Sequence, residues 1–98
     1  MAANGALGEV IAVLAGTERR LCLTLGALAE IETALALEGL SELAERMRGL
    51  SARDLTVVLA ALLRGGDEGE LADALGGAGV APREAAEAVA KAFATAAG

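Results

Sequence analysis

EVIAVLAGTERRLCLTLGALAEIETALALEG, residues 9–39, changes its hydrophobic period midway, and that change decides the fold class. The first half is built on a period of two. Val10, Ile11 and Val13 supply β-branched residues early, and Gly16-Thr17-Glu18 supplies turn chemistry. After the turn, Leu21, Leu23 and Leu25 fall on one face, with Arg20, Cys22 and Thr24 on the other. Val10, Ala12 and Leu14 share the face of the leucine row. The pattern predicts a β-hairpin over 9–25 with one greasy side. Two strands alone are marginal in water, so helices must cover that side. From Leu28 the spacing turns helical: Leu28, Ile31 and Leu35 line up, while Glu30, Glu32 and Glu38 sit off the stripe. Thr24 is placed to cap a helix over about 26–38, and Gly39 to close it.

Working outward toward the C-terminus, the helical period persists. LSELAERMRG predicts a helix over 41–49 capped by Ser41, with Leu40, Leu43, Met47 and Leu50 inward and Glu42 paired with Arg46 at i,i+4. SARDLTVVLAALLRGG carries the strongest signal. Ser51 and Asp54 form a capping box, and Leu55, Val58, Leu59, Leu62 and Leu63 make a stripe. Arg64 suits the C-terminal dipole, and Gly65-Gly66 ends the run. This predicts the central helix, over 52–64. A short helix over 68–76 rests on Leu71 and Leu75. Pro82 opens a last one over 82–96, anchored by Val89 and Phe93, padded by Ala86 and Ala90, with Glu87 and Lys91 paired on another face. The expectation is one α+β domain over 9–96, an N-terminal β-hairpin packed against four to five short α-helices. Residues 1–8 are expected to be a flexible lead. The last helix has few bulky anchors, and a loose, peripheral hold is expected for it.

Composition narrows function by exclusion. Of 98 residues, 25 are Ala and 17 are Leu, while histidine, tryptophan and tyrosine are absent. Without histidine there is no histidine-based triad, general base or metal ligand. One cysteine allows neither an intrachain disulfide nor a paired-cysteine metal site. Cys22 has only Arg19 and Arg20 near it in sequence and reads as an inert thiol. No enzyme, cofactor, metal or small-molecule substrate is expected. Fourteen acidic against eight basic residues give a net charge of −6, which disfavours nucleic acid as a partner. Uncharged runs reach nine residues, against roughly 20 for a spanning helix, so no membrane segment is expected. MAANGALGEV has no basic lead or long apolar core, which predicts no targeting signal and a cytoplasmic location. GGAG at 76–79 lacks the Lys-Ser/Thr of a phosphate loop and reads as a break between helices.

What remains is protein–protein contact. Met47, Val89 and Phe93 are adaptable or bulky apolar groups that can line a groove for an amphipathic helix. Glu42 and Glu45, within an acidic run beginning at Glu30, read as a solvated face or a docking surface for a basic partner. The hairpin's edge offers a second mode, strand addition.

RLCLTLGALAEIETAL, GLSELAERM and LSARDLTVVLAALLRGG, in that order and spacing, resemble the small gene-transfer-agent/phage tail protein family of alphaproteobacteria, labelled tail-tube-type or tail assembly chaperone. The resemblance covers about Gly8 to Gly66, with a looser match through Phe93, and is most distinctive over LTLGALAEIE. It implies a non-enzymatic protein that helps assemble a tail. Such a protein would hold the tape-measure or tail tube protein until the tube polymerises. A structural component retained in the particle, or a small adaptor, are the competing implications.

Overall fold

A computed structural model describes residues 8–97. The expected flexible lead falls on 1–8, of which 1–7 lie outside the described residues. Two antiparallel strands, β1 (Glu9–Leu14) and β2 (Thr17–Cys22), form the hairpin. The helices α1 (Leu25–Ala34), α2 (Leu40–Met47), α3 (Ala52–Gly65), α4 (Gly69–Asp73) and α5 (Pro82–Ala97) follow, with a 3-10 turn, Leu75–Gly77, after α4. The fold is the α+β arrangement the change of period predicts.

The turn is tighter than expected. Leu14 pairs with Thr17, so the loop is only Ala15-Gly16, and both residues have positive φ, 52° and 85°. That is a type I′ loop, whose twist matches a hairpin. Register places Val10 opposite Leu21 and Ala12 opposite Arg19, which puts Val10, Leu14 and Leu21 on the inner face, all buried. The hairpin stops at Cys22, short of 25. Leu25 therefore leaves the greasy row and stands 86% exposed as the first residue of α1.

Helix starts obey local chemistry. Thr24 Oγ1 accepts from Ala27 N at 3.0 Å, and Ser51 Oγ from Asp54 N at 3.1 Å. Helix ends follow the glycines only in α3, which ends at Gly65 with Gly66 as its cap. α1 stops at Ala34, and Gly39 is not its terminator. Ala36 takes the left-handed conformation (φ 56°), with Leu37 N donating to Glu32 O and Ala36 N to Thr33 O. This is a Schellman motif without glycine. α2 then begins at Leu40 behind Gly39, so Ser41 lies inside its first turn and caps nothing. Glu42 reaches back instead, accepting from Glu38 N at 3.1 Å. α3 closes the same way as α1: Asp67 (φ 66°) is left-handed, and Glu68 N donates to Leu63 O at 2.8 Å.

The core is centred on α3. All six residues from Val58 to Leu63 are buried, which is more than a stripe, because α1, α4, α5 and β2 surround that helix. Gly65 and Gly66 serve this packing. A Cβ on Gly65 would lie 2.1 Å from Cys22 O, and one on Gly66 2.2 Å from Arg20 O. The backbone of α3 thus meets the backbone of β2 where no side chain fits. The last helix is not peripheral. α5 lies against both α3 and β1, and Ala85, Ala88, Val89 and Ala92 are buried in the shared core. Its alanines are what permit the close approach. The loosely held element is α2, fastened through buried Leu43 and through Arg46. Arg46 donates to Asp54 Oδ2 (3.1 Å) and to Leu35 O (3.3 Å) in place of the expected pair with Glu42.

Candidate docking surfaces

The two edges of the sheet are treated differently. Along β2, Glu68 does the closing. Its Oε2 accepts from Arg20 N at 3.0 Å, and its Oε1 receives Arg19 Nη1 at 3.3 Å. Gly65 and Gly66 press on the carbonyls of Cys22 and Arg20 beside it. No strand can add there without moving α3.

Along β1, α5 runs beside the edge without sealing it. Lys91 Nζ donates to Ile11 O at 2.8 Å, and Glu84 Oε1 accepts from Ala15 N at 3.2 Å. Between these contacts Ile11, Ala12, Val13, Glu84, Glu87, Ala88 and Lys91 line an open groove. Val13 is 53% exposed there. Because Arg20 N–H points away from β1, toward Glu68, strand alternation turns the backbone groups of Ile11 and Val13 outward as well.

A second surface is helical. Met47, Leu50, Leu55, Ala86, Val89 and Ala90 line an apolar groove between α5 and the segment joining α2 to α3. Leu55 also borders an adjoining hollow with Leu59, Leu75, Val80 and Pro82.

Among the residues marked out by sequence, Met47 sits half-buried in this helical groove. Val89 is only 2% exposed, so it is a core residue at the groove's floor and cannot act as a projecting anchor. The reason is the small-residue packing of α5, which draws its stripe into the core. Phe93 is half-buried against the core and is not among the residues lining either groove. Glu42 and Glu45 are exposed on α2 beside a shallow hollow of their own. Glu45 pairs there with Arg48 at 3.5 Å, a surface contact that contributes little. Cys22 is buried, and its pKa is pushed above the ordinary thiol value, first by burial and then by the Glu9 carboxylate. A thiol held protonated is poorly suited to nucleophilic attack. Among the described residues no group of three or more acids and cysteines is set to hold a metal ion, and no helix is long and apolar enough to cross a membrane.

A small acidic α+β fold offering contact surfaces agrees with the comparison of the chain with protein families. The model of the phage tail tube protein family, GTA-gp10, matches residues 7–98. The chain belongs to this family. No curated protein and no solved structure matches it.

The family match extends over α4 and α5, beyond the stretch where the sequence resemblance is closest. The β1 groove therefore draws both of its walls from the matched region. Its residues were only partly legible. Alternation puts Ile11 and Val13 on the outer face, but nothing local announces that Lys91 reaches across 80 positions to Ile11 O instead of pairing with Glu87.

Proposed function

We propose that this chain serves tail assembly without catalysis, as a chaperone that docks a second tail polypeptide, the tape-measure or the tail tube protein. One observation carries the reading: a two-stranded sheet with one edge sealed by backbone packing and the other left approachable beside a groove. Such an edge recognises an extended segment through main-chain hydrogen bonds and releases it without covalent change. Six net negative charges keep the complex of chaperone and client soluble.

The family description favours a second reading, a component of the tail tube itself. A single hairpin offers little sheet with which to join neighbours into a tube wall, which supports the chaperone reading. Co-expression with the tail tube and tape-measure proteins, followed by mass spectrometry of purified particles, separates the two. The chaperone reading expects a soluble complex before assembly and no copies in the particle. Stoichiometric copies in finished tails would overturn it in favour of the tube component.

A further inference from the structure

We propose that the open edge of β1 accepts an added strand whose residues alternate apolar and basic, and that Lys91 is the plug this strand displaces. The inference rests on the docking function above and specifies its ligand. Main-chain groups come first. Ile11 and Val13 turn their N–H and C=O groups outward, and Ile11 O is held by a side-chain ammonium at 2.8 Å. Among the described residues, that is the contact on the Ile11 carbonyl that a strand must replace. A lysine on a long flexible stem is a common guard of sheet edges, and it leaves by side-chain rotation alone.

The walls then set the side-chain code. α5 extends past the edge as a shelf carrying Glu84, Glu87 and Lys91, with small Ala88 between them. One face of an incoming strand rests on this shelf, over Glu87. The other face lies beside Ile11 and half-exposed Val13. The charges near the edge are Glu84, Glu87 and Lys91 on α5, Glu9 on β1, and Glu18 and Arg20, the cross-strand partners of Val13 and Ile11. On the shelf side the two carboxylates Glu84 and Glu87 outnumber Lys91, so basic residues are preferred there, and apolar ones beside Ile11 and Val13. The same charges oppose a second copy of this chain, because pairing two β1 edges would bring two acidic rims together.

The test uses the whole chain with two synthetic decapeptides, five Val-Lys repeats and five Val-Glu repeats, both end-blocked. Titration followed by amide chemical shifts and calorimetry is expected to show the Val-Lys peptide bound at least tenfold tighter, with shifts at Ile11, Val13 and Glu87 to Lys91. Lys91→Met should tighten binding about threefold, and Glu87→Lys should weaken it about tenfold. Val13→Pro should abolish it with the circular dichroism spectrum unchanged, because the lost N–H faces away from β2. Equal affinity for both peptides, shifts confined to the Met47–Leu55 groove, or a concentration-dependent dimer abolished by Val13→Pro would each overturn the proposal. Capture of a co-expressed tail protein keeps the two readings separable. Capture that survives Val13→Pro would remove the edge and leave the tail function. Peptide binding without capture of either tail protein would do the reverse.

Discussion

Replacing Gly66 by Ala sets two effects against each other. Glycine at a helix end costs up to about 1 kcal/mol against alanine, so propensity alone predicts a gain. Nothing in the local backbone forbids it, since Gly66 has φ −93°, where any residue sits comfortably. The tertiary packing says the opposite. An added Cβ would lie 2.2 Å from Arg20 O, 2.5 Å from Arg20 C and 2.9 Å from Leu21 N. A carbon settles at about 3.5 Å from such neighbours, so α3 and β2 must part by roughly 1 Å. All three atoms are backbone, held in register against β1, and no rotamer change can yield the space. Parting them loosens Leu21, Leu62 and Leu63, each 0% exposed, and lengthens the Glu68 contact to Arg20 N.

Overpacking of this kind costs about 1–3 kcal/mol and sometimes more. With rigid atoms on both sides the upper part of that range applies, for a net loss near 2 kcal/mol after the gain in propensity. In a domain of this size that lowers the melting temperature by roughly 10 °C. Thermal unfolding followed by far-ultraviolet circular dichroism reads it directly. Gly76→Ala is the control, because nothing lies within 4 Å of its added Cβ. It should be neutral or slightly stabilising. A Gly66→Ala protein that melts at or above the parent temperature would refute the close-approach argument.

Three further outcomes are expected. Ala36→Gly relieves the left-handed φ of 56° and should raise stability by roughly 1 kcal/mol in urea titrations, without altering the hairpin's chemical shifts. Glu68→Gln removes the charged acceptor shared by Arg19 and the Arg20 amide. It should cost about 1–2 kcal/mol and speed hydrogen exchange at Arg20 far more than at the amides of α5. Arg46→Met cuts the contacts of α2 to Asp54 and to Leu35 O. Exchange protection should fall across α2 while that of α3 stays; uniform loss across the chain would show that α2 is integral to the core.

What the sequence reveals of this fold divides by the range of the forces involved. The period-two and helical stripes, and the caps at Thr24 and Ser51, depend on neighbours within a turn or two, and they appear where local chemistry puts them. The glycines were misleading for the opposite reason. Gly39 resembles a terminator but lies beyond the end of α1, and although Gly65 and Gly66 do stand at the end of α3, the left-handed positions fall to Ala36 and Asp67. A helix stops where the rest of the fold ends it, and Gly65 and Gly66 serve a backbone contact some 45 positions away. The ion pairs expected at i,i+4 failed likewise. Such a pair contributes only a few tenths of a kcal/mol, so Arg46 and Lys91 were drawn to distant acceptors that offered more. Of the candidate docking residues, Met47 was legible as a groove residue. Val89 was legible as an anchor of the last helix, and its burial there leaves it at the groove's floor instead of projecting toward a partner.

The contrast between the two sheet edges follows from the same packing. On β2 the closure is backbone against backbone, and opening it means separating α3 from the sheet and exposing the centre of the core. On β1 the Ile11 carbonyl is closed by one ammonium, a hydrogen bond contributing about 0.5–1.5 kcal/mol. An added strand that forms even two main-chain bonds there recovers more than it breaks. The glycines at the end of α3 and the lysine in the middle of α5 are halves of one arrangement. The first fixes where the sheet ends, and the second holds in reserve the side on which another chain can continue it.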